Sequence, residues 1–276
     1  MPTLLGEIIS WDAPSEVESS KFKDVMVAAG LGDHVPALKA GTALSRSFGS
    51  FTKNRVIRPV KAKTAGEKTY QFTEEQKTGD GYEYERETSV TYDPKTKKII
   101  CPDKPELESP VQEAFDHKLA HFQGGDVTKA LQAALNAHGD LFQLKSRASF
   151  YFVPAAHQAV LETVAQVLKE IGGEIIRFPI GDDVESGKAV KAAVSTSLEA
   201  TASQYEQMIE ELDLENARPS TTKAIGSKLE ILELKADGYA YILQETQEKV
   251  KARIQEAKKK LKDKLNKAME DAASAI

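Results

Sequence analysis

Two apolar stripes in the last third of the chain constrain its fold most. Leu198, Thr201, Tyr205, Met208 and Leu212 recur at three and four residues, as do Leu229, Leu232, Ala236, Tyr239, Leu243, Thr246 and Val250. That spacing puts each set on one helix face, and a helix alone is marginal in water until its face is covered. From about Val184 onward the sequence therefore predicts two long helices that pack on each other or on a partner. Arg218-Pro219-Ser220 separates them. About thirty residues give the first arm roughly 45 Å, and about fifty-five give the second roughly 80 Å. Folded back antiparallel, the second arm would overhang from about Val250. There the stripe shifts to Ile254, Ala257, Leu261, Leu265 and Ala268, which reads as a stutter. Nine cations between Lys249 and Lys267 are offset there by Glu256 and Asp263 alone. The overhang is the expected partner surface, with Ile254, Leu261 and Leu265 as apolar contacts and Lys258 and Lys262 as charged ones.

Ahead of the helices the pattern is mixed. Thr3 to Trp11 reads as a strand or a capping segment. Ser19 or Ser20 caps a helix whose stripe is Phe22, Val25, Met26 and Ala29, and a second helix spans about Thr42 to Lys53. Val56 to Val60 and Thr69 to Thr73 form a hairpin. Tyr82 to Tyr92 alternates and turns at Asp93-Pro94-Lys95 into Lys98 to Cys101, giving strands with one wet face. Ser109-Pro110-Val111-Gln112 looks like a helix start with a serine cap. That helix should end at Gly124 and Gly125, and Asp126 should cap the next, which stops at Gly139. Phe150 to Val153, a helix through Val160 to Ile171, and Glu174 to Ile180 predict a βαβ crossover. The expected fold is α+β: a mixed α/β body with β-hairpins and one βαβ unit, followed by a long C-terminal helical hairpin or coiled coil. Its expected divisions are 1–105, 106–181 and 182–276.

Composition narrows the class. The chain of 276 residues is 41% hydrophobic and 29% charged, with one cysteine, Cys101. These values fit a soluble protein, and no run reaches the eighteen or so apolar residues of a membrane span. Met1 to Trp11 lacks a basic start and a small-residue cleavage site, so a cytoplasmic location is expected. A lone thiol is a small buried hydrophobe more often than a nucleophile.

Charge is segregated within the net −5. Lys39, Arg46, Lys53, Arg55, Arg58, Lys61, Lys63 and Lys68 lie together against Glu67 alone. The order helix, helix, hairpin is that of a winged-helix module, in which a cationic recognition helix and wing neutralise phosphates. On that reading Arg46, Lys53, Arg55, Arg58, Lys61 and Lys63 bind nucleic acid. The bland alternative is an α+β subdomain with a basic solvated face.

Other motifs fall short of chemistry. His117 and His121 stand four apart, half a zinc site, but no third ligand has a recognised spacing, so they read as a surface pair. Gly181 to Ala189 sits where a phosphate loop would, yet it is one residue too long, has Ala189 for the magnesium-binding hydroxyl, and carries three acids. Phe150 to Val153 is a core strand rather than a platform for bases. No enzymatic signature, metal or cofactor is expected.

The Ala43-Leu44-Ser45-Arg46-Ser47-Phe48 helix, leading into Arg55-Val56-Ile57-Arg58-Pro59-Val60, and the later Phe150-Tyr151-Phe152-Val153-Pro154 strand resemble an uncharacterised family carried by bacteriophages and plasmids. The resemblance covers roughly the first 180 residues and leaves the C-terminal helices outside. It implies a mobile-element setting inside a bacterial cell and no catalysis. The resulting expectation is a non-enzymatic interaction protein whose helical arm serves self-association or a protein partner. The alternative is nucleic-acid binding through 39–68.

Overall fold

The first strand is held by close approach. Strand β1 (Leu4–Asp12) buries Leu5 and Ile9, and at Gly6 a Cβ would stand 2.2 Å from the Val153 carbonyl oxygen. Only glycine lets the neighbouring strand come so near. The computed structural model describes residues 4–62, 64, 66–144, 149–182, 185–213 and 219–274. After β1 come β2 (Glu16–Glu18), α1 (Ser19–Ala28), α2 (Ala40–Ser47), β3 (Arg55–Val60), β4 (Lys68–Thr78), β5 (Gly81–Asp93) and β6 (Lys98–Ile100). The middle of the chain holds α3 (Glu108–Ala120), β7 (His121–Gln123), α4 (Gly124–His138), β8 (Phe142–Gln143), β9 (Tyr151–Pro154), α5 (Gln158–Ile171) and β10 (Glu174–Gly181). The last helices are α6 (Ser186–Glu211), α7 (Pro219–Gly238), α8 (Ala240–Leu243) and α9 (Gln247–Ser274).

Two compact units result. The first takes Met1–Asp12, Leu135–Ala165 and Glu174–Ile276, and the second Ala13–Ala134 and Gln166–Gly173. This grouping departs from divisions at 105 and 181, because β1 pairs with strands well over a hundred residues away and nothing local announces them.

In the first unit the sheet order is β10-β1-β9-β8, every neighbour antiparallel. β9 and β10 thus run parallel with β1 inserted between them, so the strand-helix-strand unit is a split one. Arg177 on β10 grips Glu7 on β1 through two bonds of 2.6 and 2.7 Å and also reaches Glu162 at 2.7 Å. Leu5, Phe142 and Phe152 meet Val190, Val194 and Leu198 of α6, Leu232, Ala236 and Tyr239 of α7, Ile242 and Leu243 of α8, and Val250 and Ile254 of α9 in one core. A second cluster, Ile209, Ile225, Leu229, Ala257 and Leu261, extends the bundle away from the sheet.

The C-terminal arms are corrected here. The expected 80 Å helix breaks after Gly238: α8 follows, then a turn in which Gln244 takes φ 46° and ψ −119°, a backbone conformation that side chains seldom adopt. Its amide oxygen accepts from Lys191 at 2.9 Å, and Thr246 Oγ1 donates to the Leu243 carbonyl at 2.7 Å, so contacts hold the turn. α9 then runs back along α7, with Lys251 against Asp237 and Lys258 against Glu233. It lies parallel to α6, as Lys249–Glu199 and Lys260–Glu210 record. At 1.5 Å per residue α7 and α9 measure roughly 30 and 42 Å. The overhang and the stutter give way to a folded-back bundle, because the chain reverses between Gly238 and Gln247, ahead of Val250, which lies inside α9.

The second unit is built on the antiparallel meander β3-β4-β5-β6. Ala43, Leu44 and Phe48 from α2 and its following turn, and Val111 and Phe115 from α3, pack with Phe72, Val90, Tyr92, Ile99 and Cys101. Phe48 meets the Phe72 ring edge-on at 5.1 Å. Both expected hairpins are present, but the helix read as Thr42 to Lys53 is α2 followed by a 3-10 turn at Phe48–Phe51, leaving Lys53 outside. α1 has no side-chain cap. Nor does Ser109 cap α3; its hydroxyl donates to Glu113, and Gln112 instead accepts the Ile99 amide at 2.8 Å. The helix stops at Ala120 rather than at Gly124, since β7 pairs with β2.

Candidate functional site

The six cations assigned to nucleic acid have different fates. Arg46 is bound bidentately by Asp126, at 2.5 and 2.8 Å, and Arg55 by Glu87 at the same distances. Hydrogen bonding from Arg46 pulls the Asp126 carboxyl below its ordinary range, and Arg55 does the same to Glu87. Fork-to-carboxylate pairs of this kind are the strong ones, so both guanidinium groups are spent inside the second unit. Lys53, Arg58 and Lys61 are exposed, and Lys63 lies outside the described residues. The order helix, helix, hairpin is present as α1, α2 and β3–β4, with the hairpin forming part of a four-stranded sheet and α2 burying Ala43, Leu44 and Ser47.

Four of the five residues assigned as partner contacts on the last helix make contacts within the chain. Ile254 and Leu261 are buried, Leu265 packs on the outer cluster, and Lys258 pairs with Glu233 at 2.5 Å. Lys262 alone of the five is exposed. The folded-back α9 thus turns Ile254, Leu261, Leu265 and Lys258 toward the chain's own core and acids and leaves Lys262 at the surface.

What the structure does present is a ribbon. β3 leaves β4 at the Arg55–Glu74 pair, and β6 reaches only from Thr91 to Asp93 of β5. The Glu75 amide still donates to the Asn54 carbonyl at 2.9 Å. From Gln76–Glu83 out to Thr78–Gly81 the two strands have, among the described residues, only each other as strand partners, a projection of roughly 10 Å at 3.4 Å per residue. Gly79 at φ +56° turns it. Tyr82 and Tyr84 are 56% and 60% exposed on one face. Glu74, Glu75, Asp80, Glu83 and Glu85 stand here against Lys77 and Arg86. The alternation of Tyr82 to Tyr92 gives the strand in the sequence, but nothing in it tells that its outer half has no cover.

A polar cluster in the first unit was not visible in the sequence. Asp140, at φ +48° just after α4, accepts from Lys235 Nζ and from the Tyr239 hydroxyl, while His157 Nε2 lies 2.8 Å from that hydroxyl and 3.4 Å from Asp140 Oδ2. Burial, then the bond to Asp140, raises the Tyr239 phenol. Beside it opens a cavity of about 160 Å³ bounded by Asp140, Leu141 and Phe142 on one side and by α6 and α7 on the other. These four residues span 99 positions, from Asp140 to Tyr239, and no motif joins them.

The remaining motifs are quiet. His117 and His121 stack at 4.2 Å, with His121 Nδ1 2.9 Å from the His117 carbonyl and His117 Nε2 3.8 Å from Glu16. Among the described residues no cluster of three or more such side chains could hold a metal ion. Cys101 is buried in the second core, and burial pushes its thiol up to about 12. In the Gly181 to Ala189 segment Asp183 and Val184 lie outside the described residues, and Asp182 faces Lys191 at 3.4 Å. Phe150 sits ahead of β9 and is 48% exposed, whereas Phe152 and Val153 are buried as expected of a core strand. Among the described residues no helix is long and apolar enough to cross a membrane.

No curated protein and no solved structure matches this chain. A family model does, and it runs through residues 4–273, so the C-terminal helices fall inside the match rather than beyond it. With a single model covering both units, the chain belongs to the family of unknown function DUF6744.

Proposed function

We propose that this is a non-enzymatic interaction protein of a phage or other mobile element. It works in the bacterial cytoplasm and captures a partner protein on the β4–β5 ribbon. The mobile-element setting is supported by the Ala43–Phe48, Arg55–Val60 and Phe150–Pro154 segments. The observation that carries the reading is the ribbon itself. A two-stranded hairpin is marginal in water, and this one holds two exposed tyrosines, the residue type that anchors interfaces. Among the described residues the outer edge of β5 has no strand beside it from Gly81 to Val90, and an extended peptide adds to such an edge through its main chain.

Charge selects what can add. Five acids against two cations between Glu74 and Arg86 admit a basic strand and repel an acidic one. Self-association along this edge would set acid against acid. Pairing it instead with the basic β3 edge of another copy would be heterologous and open-ended. The partner is therefore a different protein with an extended basic segment. Nucleic acid is disfavoured at the ribbon for the same reason that acids are.

Photo-crosslinking from position 84, with Tyr84→p-benzoylphenylalanine expressed in source cells, tests this. A discrete protein adduct that disappears in Glu83→Lys/Glu85→Lys is the expected result. An adduct to nucleic acid, an adduct indifferent to the charge reversal, or no adduct would overturn it.

A further inference from the structure

We propose that the cavity between α6 and α7 in the first unit is a binding site for a small organic carboxylate, about the size of benzoate. The bookkeeping of donors and acceptors around it gives the sign. Asp140 is the acid in the wall, and both of its oxygens are taken, by Lys235 and by Tyr239. Lys235 is neutralised in the same contact. Lys228, one face and two turns earlier on α7, also lines the cavity and has no acidic partner among the described residues. Three further lining donors have no partner among the described residues: the Ser197 and Tyr205 hydroxyls, eight residues apart along one face of α6, and the Asn136 amide. Thr201 between them is not, because it donates to the Ser197 carbonyl at 2.8 Å.

The site therefore offers one unpaired positive charge and several neutral donors, with no free carboxylate to compete. That is the complement of a monoanion able to accept several hydrogen bonds. The rest of the wall is apolar, from Phe142, Leu198, Ile231 and Leu232, which asks for a hydrocarbon body behind the charge. A volume of about 160 Å³ is close to that of an engineered apolar cavity, about 150 Å³, that takes benzene. A free inorganic anion would leave the apolar wall uncovered.

Titration of the full-length ¹⁵N-labelled protein with sodium benzoate, followed by amide shifts, tests the assignment, with benzyl alcohol as the neutral control of equal size. Saturable shifts are expected at Thr201, Tyr205, Lys228 and Ile231, with the alcohol binding about tenfold more weakly or worse, as loss of a charge-assisted bond implies. Lys228→Met should bring benzoate down to the level of the alcohol, and Lys228→Arg should restore it. Lys228 is exposed, so neither change threatens the fold. Absence of saturable shifts up to the solubility of benzoate, equal binding of the alcohol, or undiminished binding by Lys228→Met would each overturn the proposal. None of these outcomes bears on the ribbon.

Discussion

Two stretches of this chain carry a similar excess of positive charge, and the fold treats them differently. Between Lys249 and Lys267, six of the nine cations are engaged by distant partners. Lys249, Lys251, Arg253, Lys258 and Lys260 face Glu199, Asp237, Glu206, Glu233 and Glu210. Lys264 donates to the last carbonyls of α6, at Ile209 and Glu210, where a cation also meets the negative end of the helix. Between Lys39 and Lys68, among the described residues, only Arg46 and Arg55 are paired, and Lys39, Lys53, Arg58, Lys61 and Lys68 are exposed. The first pattern fixes the register of a bundle; the second leaves a field on the surface. A run of lysines therefore says little about binding until its acids are located.

The largest way to break the comparison is to remove α9. If it is structural, deleting Gln247–Ile276 takes Val250 and Ile254 from the main core and Ala257 and Leu261 from the outer one. Loss of a large buried aliphatic costs about 2–5 kcal/mol, so Val250, Ile254 and Leu261 together cost about 6–15 kcal/mol, as much as the roughly 5–15 kcal/mol that holds a domain folded. The first unit should lose its cooperative transition in circular dichroism. The second core draws nothing from α9, so Cys101, with its thiol pushed up to about 12, should stay unreactive to a thiol reagent at pH 8 until denaturant opens that unit. A first unit that still melts cooperatively without α9 would restore the free-arm reading.

The same contrast shows what was legible in the sequence. Most of the stripe residues are buried: Leu198, Leu229, Leu232, Ala236, Tyr239, Val250 and Ile254 are core, whereas Met208 is 43% exposed and its neighbour Ile209 is buried in its place. The hairpins were legible because turn residues and alternation are local. What was missed is what local periodicity cannot encode. Gly238 costs a helix only about 1 kcal/mol, so it does not announce a reversal, and the stripe runs through the turn with no gap. β1 showed its apolar residues but not that it would become the middle of a sheet whose other strands begin beyond Gly139. The Asp140 cluster and the cavity depend on α7 returning to the loop after α4, a contact with no signature in either segment.

Single ion pairs that hold each unit should give smaller effects. In the first, Arg177 serves both Glu7, which is 8% exposed, and Glu162. Arg177→Met strands the Glu7 carboxylate and should cost about 2–3 kcal/mol in urea unfolding. In the second, Arg46→Met frees Asp126 and should cost about 1–2 kcal/mol. This pair has a pH signature. The Asp126 carboxyl is held low in the folded state by Arg46, above all through the hydrogen bond, so the unfolded chain binds the proton more readily. The pair's contribution is complete above the ordinary aspartate value of about 3.9 and is lost as pH falls through the lower folded value. Arg46→Met should flatten the acid limb of the stability profile and leave the neutral plateau lower. An acid limb unchanged by the substitution would mean that Asp126 finds its stabilisation elsewhere.

The smallest effects sharpen the comparison furthest, because they separate paired from unpaired cations in each stretch. Lys258 and Glu233 are each about three-tenths exposed, so breaking their pair by Lys258→Met should cost at most about 1 kcal/mol. Lys262 on the same helix and Arg58 on β3 are exposed, and changes there should stay within about 0.5 kcal/mol. Thermal melts of Lys258→Met, Lys262→Met and Arg58→Met should fall in that order, with the last two at wild-type stability. If Arg58→Met melts early while Lys258→Met does not, the assignment of structural charge to α9 and surface charge to β3 is reversed. If both exposed sites are silent in the melt, Arg58→Glu can then probe the field of β3 alone. Any change it makes in binding would arise at the surface, since the fold beneath it would be intact.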